Sequence, residues 1–182
     1  MDLELDHRHV LITGASRGIG LACARLFLAE GARVTLVARD ATRLEGARSA
    51  LAEAFPASVV ATQAADLCDA DAAAAMVHAA QAALGPVDIL VNSAGAARRT
   101  PPDELTPRAW HDAMSAKYFS YIHVIDPLIK QMAVRGHGVI VNVVGMGGKV
   151  AAPVHLPGGS ANAALMLASA GLANAYGPRG VR

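Results

Sequence analysis

This chain of 182 residues has almost no excess of positive over negative charge, few cysteines and no long uninterrupted apolar run. Its 16 Lys and Arg residues nearly balance 15 Asp and Glu residues, and a net charge of +1 disfavours generic binding to nucleic acid or to an acidic membrane surface. The two cysteines, Cys23 and Cys68, are too few for a disulfide framework and lack metal-ligand spacing, which is typical of reduced thiols in the cytoplasm. The acidic start of the chain is the reverse of a secretory signal, and proline and glycine interrupt the longest uncharged stretch, 150–178, so no membrane span is predicted.

Short apolar runs alternate with longer helical patterns along the whole chain. Hydrophobic residues make up 53% of the sequence, enough for a packed core, and the length suits a single domain over 1–182. The repeated strand–helix order predicts an α/β fold: a doubly wound parallel sheet with helices on both faces, in three layers. A sixth strand is expected to begin near Val181, so we expect the natural chain to be longer. The predicted strands are 9–13, 33–38, 58–62, 87–91 and 138–144, and the predicted helices are 18–30, 42–55, 71–84, 106–135 and 160–176.

A glycine-rich loop joins the first predicted strand to the first helix, with the sequence Thr13-Gly14-Ala15-Ser16-Arg17-Gly18-Ile19-Gly20. Gly14 permits a tight turn, Gly18 lets the backbone approach a pyrophosphate, and Gly20 lets helix and sheet pack closely. The helix N-terminus then offers unpaired N–H groups and a positive dipole end to phosphate. The strand–turn–helix context favours a dinucleotide site over a plain glycine-rich turn.

Three motifs together resemble the short-chain dehydrogenase/reductase family. The loop matches its Thr-Gly-x-x-x-Gly-Ile-Gly pattern, Val91-Asn92-Ser93-Ala94-Gly95 matches its Asn-x-Ala-Gly, and Asp66-Leu67 follows the third strand where the family places an aspartate beside adenine. The resemblance implies a Rossmann-type fold and hydride transfer between a nicotinamide cofactor and a carbonyl or alcohol substrate. The cofactor-binding residues are then expected to be Gly14, Ser16, Arg17, Gly18, Ile19, Gly20, Arg39, Asp66, Leu67, Asn92, Ala94 and Gly95.

The end of the second strand bears on which nicotinamide cofactor is used. NAD sites place a carboxylate there for the ribose hydroxyls, whereas this chain has Ala38 followed by Arg39. Arg17 in the loop adds a second guanidinium, so we expect NADP(H), with NAD(H) less favoured. Asp40, one residue further on, argues the other way, and the alternative for both arginines is that they are solvated surface charges.

All four catalytic identities that the resemblance implies are changed. The family's serine position is Gly145, three residues after Asn142, and its tyrosine and lysine positions are Gly158 and Asn162. Its helix asparagine position is Lys117. The family tyrosine exchanges a proton with the substrate oxygen while the neighbouring lysine lowers its pKa. The usual proton donor is therefore missing.

Other titratable groups near the expected pocket are candidates for that donor. Lys117 could reach into the volume vacated by the lost tyrosine and lysine, and His155 lies on the loop that shapes the pocket, together with Lys149. We expect no rescue by Tyr121, which follows Lys117 by one helical turn and leads away from the cofactor in the family layout. The alternative is that these groups are structural or solvated.

Two functions stay open at this point. One is an NADP(H)-dependent oxidoreductase with a non-standard proton donor, Lys117 or His155, and an unidentified small-molecule substrate. The other is a catalytically silent NADP(H)-binding member that acts as a sensor or a partner subunit. The histidine spacing predicts no metal site, and the apolar helices 106–135 and 160–176 predict a homodimer or homotetramer.

Overall fold

A computed structural model describes residues 3–96 and 98–182 of the chain. Its strands are β1 (His9–Thr13), β2 (Arg33–Ala38), β3 (Val60–Ala64), β4 (Ile89–Asn92) and β5 (Val139–Asn142). They form one parallel sheet in the order β3-β2-β1-β4-β5. The first three strands are added outward from β1 on one side, and β4 and β5 are then added on the other side of β1. The predicted doubly wound α/β fold is confirmed.

Helices connect the strands, and side chains cap several of their starts. The Asp40 carboxylate accepts the N–H of Arg43, and Thr106 accepts that of Ala109. Asp69 accepts two first-turn N–H groups in the same way. The helices are α1 (Gly18–Ala29), α2 (Ala41–Ala54), α3 (Ala70–Leu84), α4 (Pro107–Ala113), α5 (Ser120–Arg135) and α6 (Leu156–Tyr176).

Alternate residues of the central strands point to opposite faces of the sheet and build two cores. Leu11 packs in one core with side chains of α3 and α5, whereas its neighbours Val10 and Ile12 pack in the other with side chains of α1 and α2. All three are fully buried. The sheet is therefore the middle layer of three, as predicted.

The predicted helix 106–135 is continuous in space but not uniform. Its middle, Met114–Phe119, is a π-helical segment between α4 and α5. Such segments shift the side chains out of the regular helical register and occur frequently at functional sites. Lys117, one of the candidate proton donors, lies in this segment.

Several predicted boundaries are wrong by two to four residues, including both ends of β3, the start of β4, the end of β5 and the start of α6. The third strand begins at Val60 rather than at 58, because the chain is still in a turn where the Ser58 hydroxyl donates to the Phe55 carbonyl at 2.7 Å. The last helix begins at Leu156 rather than at Ser160. Pro157 suits a first helical turn, and the two glycines after it continue the helix instead of delaying it.

The open side of β5 carries one further contact. Val181 forms an isolated parallel bridge with Gly138, beside β5, where the sequence predicts the start of a sixth strand. Within the described residues, no helix combines the length and the apolar character needed to cross a membrane.

Candidate cofactor cleft and active site

A cleft of about 400 Å³ lies at the carboxyl edge of the sheet. It opens where the strand order reverses, which is the place where doubly wound sheets bind their ligands. Ten of the expected cofactor residues line it: Gly14, Ser16, Arg17, Gly18, Ile19, Arg39, Asp66, Leu67, Ala94 and Gly95. The lining residues outside the expected set are Ala38, Asp40, Arg43, Ala65, Cys68, Ser93, Ala96, Ala116 and Ser120.

The glycine-rich loop is held in tight contact with its surroundings. Gly14 has a φ of +65°, and a Cβ there would lie 2.8 Å from the Cα of Ala94. A Cβ at Gly20 would lie 2.6 Å from the Gly14 carbonyl oxygen, so Gly20 packs behind the loop and does not line the cleft. Arg17 precedes α1 without a side-chain cap hydrogen bond. The first N–H groups of α1 therefore lack a side-chain acceptor, as an anion site at a helix N-terminus requires.

Asn92 also lies outside the cleft, fully buried behind it. Its amide group donates to Asn142 Oδ1 at 3.1 Å, and its own Oδ1 accepts from the Thr13 hydroxyl at 3.4 Å. The Thr13 oxygen in turn accepts the backbone N–H groups of the two residues after β4, each at 3.1 Å. This polar ladder fixes the ends of β1, β4 and β5 relative to one another and so shapes the floor of the cleft.

Three arginines and one carboxylate lie where the cleft meets the ends of β1 and β2. Asp40 is already engaged twice: Oδ1 accepts the Arg43 N–H at 3.0 Å, and Oδ2 lies 3.2 Å from the Arg43 Nε. The Arg43 guanidinium thus compensates the charge of Asp40, and the Asp40 oxygens cap the N-terminus of α2. Arg17 and Arg39 line the same end of the cleft, which leaves it with a surplus of positive charge.

Lys117 lies half-buried across the gap between the ends of β4 and β5. Its Nζ donates to the Val143 carbonyl at 3.3 Å and to the Tyr121 hydroxyl oxygen at 3.2 Å. The side chain passes so close to Gly95 that a Cβ there would lie 2.9 Å from the lysine Cδ. Burial lowers the pKa of Lys117 below its ordinary value. A partly desolvated ammonium releases its proton more readily, which suits a general acid.

Tyr121 lies closer to this group than the sequence analysis expects. Side chains on a helix lean toward its N-terminus, so the Tyr121 hydroxyl reaches back one turn to Lys117 instead of leading away from it. The residue is fully buried, and its hydroxyl donates to the Val143 carbonyl at 3.0 Å. Burial raises the pKa of Tyr121, which keeps it a neutral phenol. Its one proton is committed to a carbonyl, so Tyr121 orients Lys117 rather than replacing the family tyrosine.

The remaining three family positions cannot supply the usual proton chemistry. Gly145 and Gly158 carry no side chain, and Asn162 turns its amide toward Gly145, whose N–H donates to Asn162 Oδ1 at 3.4 Å. A Cβ at Gly145 would lie 2.8 Å from Asn162 Nδ2. The asparagine amide thus occupies the space in which a serine side chain would stand. Within the described part of the chain, no hydrogen bond joins Lys117 to Asn162.

His155 is half-buried on the connection between β5 and α6, and its Nε2 lies 3.2 Å from the Nε of Arg99. A guanidinium can only donate, so Nε2 is the acceptor and the ring carries its proton on Nδ1. Lys149 is exposed and lies with His155 along a separate 240 Å³ cavity between this connection and α6. The structure therefore places neither His155, Lys149 nor Lys117 among the residues that line the main cleft, although Lys117 contacts Gly95, which does line it.

No cluster of three or more His, Cys, Asp or Glu side chains within residues 3–96 and 98–182 is arranged to hold a metal ion.

Comparison with known proteins gives a consistent family match. The family model for short chain dehydrogenase matches residues 8–182. Gluconate 5-dehydrogenase of Gluconobacter oxydans (strain 621H) is 36% identical over 180 residues, covering 98% of this chain and 69% of that protein. D-threitol dehydrogenase of Mycolicibacterium smegmatis is 35% identical over 183 residues, covering 100% of this chain and 69% of that protein.

Solved structures agree with the sequence relatives. The NADPH-bound short chain oxidoreductase from Pseudomonas aeruginosa PAO1 containing an atypical catalytic center has a TM-score of 0.93 at 34% identity, covering 97% of this chain and 70% of that one. L-sorbose reductase from Gluconobacter frateurii, complexed with NADPH and L-sorbose, has a TM-score of 0.94 at 30% identity, covering 100% of this chain and 69% of that one.

Proposed function

The chain belongs to the short-chain dehydrogenase/reductase family of oxidoreductases, and we propose that it binds NADP(H) and interconverts a small carbonyl compound and its alcohol. The cofactor supplies or accepts the hydride. The uncapped start of α1, the close-packed loop around Gly14 and the open cleft fit a dinucleotide with its pyrophosphate on the helix N-terminus. The neighbours that contain NADPH support this assignment.

The choice of NADP(H) follows from the charges at the end of β2. Arg39 and Arg17 line the cleft, whereas both oxygens of Asp40 are engaged by Arg43. No other carboxylate follows β2 at this point in the sequence. Guanidinium groups recognise a 2′-phosphate, and a ribose diol without that phosphate needs a carboxylate acceptor.

We propose Lys117 as the proton donor to the substrate oxygen. The observation that carries this step is its Nζ, held by Val143 and Tyr121 between the ends of β4 and β5, with its pKa lowered by burial. Two of the three ammonium hydrogens have protein acceptors, which leaves one for a substrate. His155 remains the second candidate, but it can donate a proton only as the imidazolium, a form that gives up the hydrogen bond its Nε2 accepts from Arg99.

The proposed substrates are small polyhydroxylated carbonyl compounds or alcohols. Relatives of this chain are named for gluconate and D-threitol, and L-sorbose is bound in a structural neighbour. The neighbour that combines bound NADPH with an atypical catalytic center supports cofactor binding in this fold with altered catalytic residues.

The test is NADPH binding followed by NADPH oxidation with a panel of ketoses and aldehydes. Lys117→Met should keep the NADPH affinity and lose about 10²- to 10⁴-fold in turnover, the usual contribution of a general acid. Lys130→Met is the matched control, because Lys130 is exposed and pairs with Asp126 on the surface of α5. Equal turnover in the two variants would refute Lys117 as the donor, and the same panel with His155→Ala tests the second candidate.

A catalytically silent, NADP(H)-binding role is the second candidate function. The specific observation in its favour is that Gly145, Gly158 and Asn162 leave no serine, tyrosine or lysine at the family's positions. Tight NADPH binding without turnover across the panel would favour it over the first proposal.

We also propose that the chain assembles through the helices flanking the active site, in a cytoplasmic homodimer or homotetramer. Phe119 is 43% exposed at the end of the π segment, and Leu167 is 77% exposed on α6, a helix without any charged residue. Exposed apolar faces of this kind are stabilised by a second subunit. Sedimentation at micromolar concentration tests this proposal, and a monomer would exclude it.

A further inference from the structure

The segment that follows β4 and the segment that follows β5 are joined by two hydrogen bonds. The Thr100 N–H donates to the Val154 carbonyl at 3.0 Å, and next to this bond the Arg99 Nε donates to His155 Nε2 at 3.2 Å. One backbone bond and one side-chain bond therefore hold Arg99 three residues after Ala96, which lines the cleft, and we call this position beside the cleft the rim.

The partner of Arg99 orients it without neutralising it. An arginine with a purely structural role is commonly paired with a carboxylate, which cancels its charge. Here the Nε is taken by a histidine that must be uncharged at Nε2 to accept, and within the described residues no ion pair or further hydrogen bond engages the two terminal amino groups of Arg99. The outer edge of the guanidinium is thus presented as a two-pronged donor with its full positive charge.

The surroundings on this side of the cleft supply little opposing charge. The sequence has no Asp or Glu from 89 to 102 or from 127 to 182, the two stretches that contain both segments and all of α6. Asp103 and Glu104 follow on the next short helix and are exposed, and among the described residues no ion pair joins either of them to Arg99.

The rim is also within reach of the proposed proton donor. Gly95, which touches Lys117, is four residues before Arg99, so the two Cα atoms are at most about 14 Å apart. The side chains of Lys117 and Arg99 are both long. A substrate of a few carbon atoms could therefore contact both of them from between.

We propose that Arg99, oriented by His155, binds an anionic group at the end of the substrate remote from the reacting carbonyl, so that the enzyme prefers sugar acids or sugar phosphates over neutral polyols. This inference rests on the proposed function, since it assigns the substrate class of the same site. Arg99 is then a specificity-determining residue and His155 a positioning residue that keeps the guanidinium edge turned toward the substrate.

The experiment compares three ligands that share one configuration and differ only at C1: D-gluconate, D-glucitol 1-phosphate and D-glucitol. Their binding is measured by calorimetry with and without NADP⁺, and their oxidation is followed where turnover exists. D-gluconate or D-glucitol 1-phosphate should bind about 10-fold more tightly than D-glucitol, the effect of one charge-assisted contact, and the tighter of the two identifies the anion. Arg99→Gln should abolish the difference and leave NADP⁺ affinity unchanged.

Two further variants distinguish a specific contact of Arg99 with the anion from a general effect of positive charge on the protein surface. Arg98→Gln removes the same charge from the neighbouring exposed residue and should keep the preference. His155→Ala should weaken anion binding without altering D-glucitol binding, an effect that mere loosening of the fold would not produce. Equal affinity for the three ligands, or a preference that survives Arg99→Gln, would overturn the inference. An Arg99-dependent anion preference in a protein that does not bind NADP⁺ would refute the proposed function alone.

Discussion

Replacing Tyr121 with phenylalanine isolates the hydroxyl that orients Lys117. The ring is fully buried and would keep its packing, so the change removes one oxygen and little else. That oxygen donates to the Val143 carbonyl at 3.0 Å and accepts from the Lys117 Nζ at 3.2 Å. Two hydrogen bonds are lost together, and their loss has different consequences for stability and for acidity.

The stability cost should be limited because the carbonyl keeps a partner. Val143 still receives the Lys117 Nζ at 3.3 Å, so Tyr121→Phe should destabilise the protein by about 1–3 kcal/mol, the net value of the two lost hydrogen bonds. In Tyr121→Phe/Lys117→Met the carbonyl loses both donors. The double variant should therefore cost more than the sum of the single variants, by roughly 1–3 kcal/mol for an unsatisfied acceptor. Urea unfolding of the four proteins measures this coupling.

The acidity of Lys117 should move in a defined direction. Burial already lowers its pKa, and the Tyr121 oxygen opposes this by accepting a hydrogen bond from the ammonium. Without the hydroxyl the charged form is less stable, so the pKa falls further. A lysine that donates the proton is competent only while charged, so turnover in the reductive direction should fall at a lower pH in Tyr121→Phe than in the wild type.

Carbonyl reduction measured across pH gives this profile, and NMR titration of the lysine side chain gives the same pKa without depending on turnover. Lys130→Met serves as the control that leaves both unchanged. A fall in turnover that moves to higher pH, or additive stability costs in the double variant, would refute this account of the Lys117–Tyr121–Val143 group.

Three further outcomes are expected. Arg39→Asp should weaken NADPH binding by about 1.5–3 kcal/mol, the scale of a charge-assisted contact, and leave NADH binding little changed in a fluorescence titration. Gly145→Ser should cost only a little stability in urea unfolding, because its Cβ would lie 2.8 Å from Asn162 Nδ2, the movable end of that side chain, and Asn162→Ala should remove this small cost. His9 is fully buried between Gly85 and Thr35, and burial lowers its pKa below 6.5. The native state then binds fewer protons than the unfolded state, so the free energy of unfolding should fall as pH drops below about 6.5 and hold above it. His9→Gln should remove that pH dependence.

The sequence could predict the sheet and most of the cleft because both depend on local patterns. An apolar strand followed by Gly14, Gly18 and Gly20 specifies a turn into a helix whatever the rest of the chain does. The same reasoning places residues after parallel strands at one edge, and ten of the expected cofactor residues do line the cleft there. Gly20 and Asn92 have a structural role in the motifs. Gly20 packs against the Gly14 carbonyl, and Asn92 is hydrogen-bonded to Thr13 and Asn142 below the cleft.

The active-site contacts could not be predicted because they depend on side-chain direction and on loop closure. Sequence spacing places Tyr121 one turn from Lys117 but does not show that its hydroxyl returns to the lysine and to Val143. The contact between Arg99 and His155 joins residues 56 positions apart through two loops, and no periodicity reports such a pair. A signal for Arg43 did exist, because it lies in the first turn of α2, three residues after the Asp40 cap.

The changed catalytic positions are best understood as one rearranged set rather than four separate losses. Asn162 fills the space beside Gly145 that a serine would need, so either substitution favours the other. Lys117 places a cation beside Val143 and Gly95, and Asn162 stands where the family has a lysine on α6. A second lysine at the position of Asn162 would repel Lys117, and each would lower the pKa of the other. The lysine at 117 therefore suits an uncharged residue at 162. Restoring a single family residue should therefore not restore the family mechanism, because each one meets a neighbour that has already changed.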